Sequence, residues 1–259
     1  MPKIPLKKPE EILLMAEGGG ELARILSDVE GKIEPGISTL EIDSWIEKGI
    51  LNFGGKPSFK MVPGYFWASC TGLNDEVVHS IPRKDKIIKK GDLLKIDLGM
   101  FYKGFHSDLS WTSIIGGDIN SKSKFLEAGE KALNEAIKEA RPGKRVGDIS
   151  KKIEEVVKKA GFEPVRVLTG HGIGTKLHEE PLIPGLVKGK IENTPEILPG
   201  MTFAIEVIYN EGEGEVVLGE DGWTIFTRDG KMSGLFEKSI AITENEPLTL
   251  TPFQFGRGH

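Results

Sequence analysis

Three short stretches of the chain return in the same order about a hundred residues later. "EPGISTLEID" (34–43) is echoed by "RPGKRVGDIS" (141–150), and each opens a helical stretch of similar length. "HSIP" (79–82) is echoed by "HEEP" (178–181). "GDLLKID" (91–97) is echoed by "GMTFAIE" (200–206), which aligns Asp97 with Glu206. The displacements are 107, 99 and 109 residues. Pro-Gly ahead of a helix is common punctuation, and any one match is weak alone. Three in one order restrict the fold to two similar halves, about 9–115 and 121–243. Each half is a helical segment followed by strands, and together they form one sheet-based body with pseudo-twofold symmetry.

The helical segments have defined starts. Pro9 with Glu10 and Glu11 suits a helix N-terminus. Ser38, three residues before Glu41, forms a capping-box pattern. The triple glycine Gly18–Gly20 costs helix stability, so either the first helix is interrupted there or something packs closely against it. A second helical pair spans 121–140 and 146–160. Strand-like runs bounded by glycine occupy 92–98, 104–115, 201–209, 215–218, 223–227 and 235–243. No low-complexity linker divides the 259 residues, so one compact domain is expected.

Composition narrows the function. Hydrophobic residues make up 38% and charged residues 28%, and the net charge is -5, which gives no nucleic-acid footprint. The single cysteine, Cys70, excludes an internal disulfide framework and fits a reducing compartment. The N-terminal stretch carries only a short apolar run (12–16), which is no signal peptide, and no stretch is long enough to span a membrane. A cytoplasmic protein is expected.

Four acids sit inside otherwise apolar strands. Leu94, Ile96 and Leu98 share one strand face, and Asp97 takes the other. A hairpin centred between Tyr102 and Lys103 would set Asp97 opposite Asp108, with Cβ atoms about 5 Å apart. Phe203, Ile205 and Val207 form an apolar face, with Glu206 on the other. Phe236 and Ile240 lie opposite Glu237, Ser239 and Ala241. Carboxylates so close repel, and persist if they share a proton or flank a cation. A metal is the more economical explanation.

A histidine is available from "TGHGIGTKLHEEP" (169–181). The glycines around His171 read as a tight turn. His171 and His178, seven apart, would point to opposite faces of a strand, and the spacing matches no local zinc motif. By itself the stretch is therefore weak as a two-histidine site, with His171 read in the turn and His178 on the strand-like stretch after it. His106 and His259 fit a structural class.

With these residues in view, the chain resembles the type 1 methionine aminopeptidases of peptidase family M24, in the short bacterial form, over essentially its whole length. The resemblance implies an α+β pita-bread (creatinase/aminopeptidase) fold, with a mainly antiparallel sheet covered by helices. It also implies a dinuclear centre of two divalent ions (Co, Mn, Fe or Zn) on Asp97, Asp108, His171, Glu206 and Glu237, with Asp108 and Glu237 bridging. A metal-bridged water is the expected nucleophile, and Glu206 relays its proton to the leaving amine. His79 matches a position beside substrate and metals, and His178 one that contacts the substrate carbonyl or tetrahedral intermediate. Tyr65, Cys70 and Trp223 match methionine-pocket positions, with Leu177 where an aromatic is common. The implied activity is removal of the initiator methionine from nascent proteins with a small second residue. The implied setting is the cytoplasm, as a monomer, with the ribosome as a further partner.

The chain departs from that pattern in places. "VVHSIP" stands for the more usual "CHGIP", so Ser80 replaces a glycine. Val207 stands where proline is usual, and Lys238 where histidine is common. These departures bear on metal affinity and the outer pocket. Two rival functions share the fold: an Xaa-Pro peptidase or creatinase-like enzyme, and a non-enzymatic binding protein. The intact five-ligand set argues against the second.

Overall fold

The computed structural model describes residues 4–116 and 119–254, so His259 lies outside the described residues. The first half opens with α1 (Pro9–Glu30) and α2 (Thr39–Phe53). It continues through β1 (Lys56–Pro57), β2 (Ser69–Leu73), β3 (Glu76–Val78), β4 (Leu93–Tyr102) and β5 (Phe105–Ile114). The second half opens with α3 (Ile119–Glu139) and α4 (Val146–Lys159). Its strands are β6 (Glu163–Pro164), β7 (Thr169–Gly172), β8 (Glu179–Pro184), β9 (Thr202–Asn210), β10 (Val216–Leu218), β11 (Ile225–Thr227), β12 (Ser233–Ala241) and β13 (Leu248–Thr249). The capping box at Ser38 forms as expected. Its Oγ accepts from the Glu41 N–H at 3.3 Å, and the Glu41 carboxylate accepts from the Ser38 N–H at 2.9 Å.

Ten strands form the main sheet, in the order β1-β4-β5-β12-β9-β7-β8, with β2 added on β4, β6 on β9 and β13 on β12. These pairings are antiparallel. The central strands β5 and β12 come one from each half, and β4 and β9 flank them. α1 lies over β4 and β5, α3 lies over β9 and β12, and α2 and α4 pack beside them. Alternation along the strands sends Ile96, Leu98, Leu109, Trp111, Phe203, Ile205, Phe236 and Ile240 into one core with these helices. Each such buried side chain contributes about 1.5–3 kcal/mol. The other sheet face is therefore free of helices. A small sheet, β10-β11-β3, lies on that side. It is tied down by Lys95, whose Nζ donates to the carbonyls of Asn74 (2.9 Å) and Ser233 (3.0 Å). Among the described residues no helix is long and apolar enough to cross a membrane.

The β4–β5 register differs from the expected one. Asp97 pairs with Ser110, and Asp108 pairs with Gly99. The turn is centred between Lys103 (φ 46°) and Gly104 (φ 93°), because a two-residue hairpin of this hand needs positive φ at both positions. The slip amounts to two residues, so face parity survives and both acids still point to the helix-free side.

The triple glycine does not interrupt α1. It serves close packing: a Cβ at Gly19 would overlap the backbone carbonyl of Leu250, and one at Gly18 would lie 3.4 Å from the Tyr102 Cβ. Gly20 has nothing within 4 Å of its Cβ position. Two alanine substitutions one residue apart should therefore have opposite signs. Gly19→Ala should destabilise by about 1–3 kcal/mol through overpacking, and Gly20→Ala should stabilise by about 0.5–1 kcal/mol through helix propensity. Urea titrations of both variants check this, and a stabilised Gly19→Ala would refute the packing account.

Candidate active site

The antiparallel register places three of the four predicted acids in a transverse row. Asp97 on β4 lies opposite Ser110 on β5, Ser110 opposite Glu237 on β12, and Glu237 opposite Glu206 on β9. Cys70 on β2 extends the row beyond Asp97. A second row runs beside it. Asp108 exchanges hydrogen bonds with Ser239, its N–H donating to the Ser239 Oγ (2.9 Å) and its carbonyl accepting from it (2.8 Å). Ser239 pairs with Ala204, and Ala204 pairs with His171. Two neighbouring rows on one sheet face thus gather all five expected ligands from five strands.

His171 stands within β7, not in a turn. The flanking glycines allow strands to approach: a Cβ at Gly170 would come within 2.5 Å of the Ala204 carbonyl, and one at Gly172 would clash with the Glu180 carbonyl. His178 lies in the bend before β8, not on a strand, so the opposite-faces rule does not govern it. The bend brings its ring edge-on to His171, with centroids 4.5 Å apart. His171 Nδ1 lies 2.8 Å from the Gly172 carbonyl, which fixes Nδ1 as the protonated nitrogen and leaves the Nε2 lone pair toward the acids. Nε2 is 3.5 Å from Glu206 Oε1.

The electrostatics of this cluster are severe. Burial pushes the Asp97 carboxyl up to about 7, against hydrogen bonds from Ser110 and Cys70. Burial first, then the charges of Glu237, Asp97 and Glu206, raise Asp108 well above the carboxylate range. Glu206 is raised by burial and by Glu237 and Asp97, and Glu237 by burial and Asp97. Burial lowers His171 to about 4, and His178 adds to the effect. His79 and His178 are also lowered, both chiefly by burial.

Three observations show that the donor set fits divalent cations. Asp108, His171 and Glu237 offer ligand atoms that all lie within 4.8 Å of one another. Glu237 Oε1 is buried without a hydrogen-bond partner. The Ser110 hydroxyl has one proton, yet it lies 2.7 Å from Asp97 Oδ1 and 2.8 Å from Glu237 Oε2. One hydroxyl cannot donate to both, so without a cation a carboxyl proton must fill the gap. Oxygen donors with one imidazole suit Mn, Fe, Co or Zn.

The rows floor a cavity of about 360 Å³. His79, His178, Tyr65, Cys70, Leu177 and Trp223 all line it. The Tyr65 hydroxyl donates to the Ser69 carbonyl (2.8 Å) and also approaches Cys70 Sγ (3.2 Å), and its ring stands edge-on to Trp223 at 5.1 Å. His79 follows β3 with a positive φ of 55°, an uncommon conformation held by its surroundings. Phe59, Val62, Val167, Leu168 and Leu182 complete the apolar wall, and sequence reasoning missed them. Phe59 and Val62 come from a segment without an acid or histidine to draw attention, whereas Val167, Leu168 and Leu182 flank the His171–His178 stretch and were signalled only by that proximity. His106 is buried and hydrogen-bonded to Ser58 Oγ at 2.8 Å, as a structural histidine would be. Val207 and Lys238 point away from the site: Val207 is in the helix-side core, and Lys238 Nζ lies 5.6 Å from the Trp111 ring centroid. Ser80 is buried beside Gly72.

A carboxyl whose folded pKa is raised binds more protons folded than unfolded, so its contribution to stability falls as pH rises from about 4 toward the folded value. Chelator-treated protein should therefore lose more stability between pH 5 and 8 than the Asp97→Asn/Glu237→Gln variant. The expected excess is roughly 5–10 °C in Tm by scanning calorimetry, with parallel profiles as the contrary result.

The chain matches the model of metallopeptidase family M24 over residues 14–244. It is 39% identical over 254 residues to a methionine aminopeptidase of Aquifex aeolicus, covering 96% of this chain and 98% of the relative. It is 40% identical over 238 residues to methionine aminopeptidase 1 of Bacillus subtilis, covering 92% and 95%. The crystal structure of methionine aminopeptidase from Thermotoga maritima matches with a TM-score of 0.92 at 38% identity, covering 96% and 99%. Prolidase from Pyrococcus furiosus matches at 0.77 and 22% identity, covering 96% of this chain and 66% of that one, a likeness of fold alone. The architecture is the expected pita-bread fold, and by sequence and structure together the chain belongs to metallopeptidase family M24.

Proposed function

We propose that the chain is an aminopeptidase that removes the N-terminal methionine from nascent proteins, using two divalent ions held by Asp97, Asp108, His171, Glu206 and Glu237. The observation that carries this reading is the double row of ligands, floored by an orphaned carboxylate oxygen and roofed by an apolar cavity. The relatives of similar length named methionine aminopeptidase support it. When bound, the ions supply Lewis acidity and a water of lowered pKa.

The side chains divide the remaining work. Tyr65, Trp223, Cys70 and Leu177 hold the methionine side chain, whose flexible thioether suits aromatic edges. The acids at the floor receive the free α-amino group, which restricts cleavage to the chain end. His79 and His178, kept neutral by burial, each donate one N–H toward the substrate carbonyl. Glu206, raised by burial and neighbouring charge, accepts a proton at its carboxylate and returns it to the leaving amine. A bulky second residue would compete for space with the two imidazoles, hence a preference for small ones. The same reading makes the chain a single catalytic domain with duplicated halves, 9–115 and 121–243, supported by the matched positions of β4 with β9 and α1 with α3. It acts as a monomer in the cytoplasm, where nascent chains leave the ribosome.

With Mn(II) or Co(II), the purified protein should release methionine from Met-Ala-Ser. Hydrolysis of Xaa-Pro dipeptides with no methionine from this tripeptide would establish the prolidase reading instead. His171→Ala should lower metal stoichiometry measured by elemental analysis. His178→Ala should keep its metal and lose about 10²–10³ in kcat. Loss of metal in the second variant would overturn this division of roles.

A further inference from the structure

The loop carrying Leu177 and His178 is fastened by a residue far away in the chain. Lys7 Nζ forms an ion pair with Glu179 Oε2, and both side chains are only 4% exposed. Glu179 immediately follows His178, and its Oε1 accepts from the Thr175 hydroxyl (3.2 Å) and the Lys176 N–H (3.1 Å). One carboxylate thus closes the 175–179 bend with one oxygen and receives the ammonium with the other. The lysine stem lies so close to Gly174 that a Cβ there would clash with its Cε. The backbone is fastened too, the Lys7 N–H donating to the Gly200 carbonyl at 2.7 Å. Gly200 precedes β9, the strand of Glu206. From the other side, the His106 N–H donates to the Gly174 carbonyl at 2.7 Å. Burial raises the Glu179 carboxyl, but Lys7 and the loop's own donors more than offset it and hold the carboxyl below its ordinary value.

We propose that Lys7 is a positioning residue for the reaction: through Glu179 it sets the bend that presents His178 and Leu177 to the substrate. This rests on the aminopeptidase reading above. The segment 4–8 is then a strap across the site's loop and contributes no group to the chemistry. A buried ion pair that served stability alone would change Tm and leave the loop's geometry relative to the metals untouched. A positioning pair changes kcat at constant metal content.

The test uses full-length, metal-loaded protein with Lys7→Met, which keeps the stem and removes the charge, Glu179→Gln, and the double variant. Expected results are a tenfold or greater fall in kcat on Met-Ala-Ser for each single variant, with unchanged metal stoichiometry and no further loss in the double variant. Hydrogen–deuterium exchange should show faster exchange confined to a peptide covering 173–179. Exchange is read without substrate, so it tests the strap even if wild-type protein releases no methionine, an outcome that would defeat the aminopeptidase reading alone. Unchanged exchange at 173–179, or kcat within twofold of wild type in both single variants, overturns the proposal. If Lys7→Met fails to fold, Glu179→Gln decides by the same two readouts.

Discussion

Four carboxyl groups crowd together on one face of four adjacent strands, and the rest of the molecule is organised around that crowding. In such a place like charges cannot all be held without a cation or protons between them. Asp97, Glu237 and Glu206 are stacked across the sheet by register, with Ser110 between the first two. Only a rigid antiparallel frame holds them so close. The helices supply that rigidity from the opposite face, where Phe203, Ile205, Phe236 and Ile240 anchor the same strands in a close-packed core. Strand alternation is thus the device that separates a stabilising face from a reactive one.

That separation explains why so much of the site was legible in the sequence. Acids alternating with apolar residues in strands reveal which way each points, whatever the partner strand. The parity argument for Asp97 and Asp108 survived a register error of two residues, because only an odd slip would have parted them. What alternation does not encode is the third dimension. The strand nature of the His171 segment was hidden because its glycines resemble turn chemistry, while their role is to admit the Ala204 and Glu180 carbonyls. The contact between the His171 and His178 rings depends on a bend outside any period. The cavity wall from Phe59, Val62 and Val167 has no pattern tying it to the acids, since it is assembled by loops from both halves.

The same geometry accounts for the sequence departures. Val207 and Lys238 adjoin the site acids Glu206 and Glu237 in sequence, yet a neighbour on a strand belongs to the other face. Val207 fills core beneath the sheet, and the Lys238 ammonium rests over Trp111. A residue next to a site acid along the chain is thus farther from the cavity than one two strands away.

The contact between Gly19 and Leu250 has a consequence for assembly. α1 emerges early in synthesis, but the backbone carbonyl that fills its glycine notch belongs to a segment made far later. β12, which carries Glu237 into the row of acids and lies between β5 and β9, is also a late element. Most of the sheet's central pairing is therefore non-local, and non-local pairing makes for slow, late folding. The first helix waits, partly uncovered, until residues near 250 close over it. The cavity takes its last lining residue, Glu237, from β12, so its floor too is completed only by a late part of the chain.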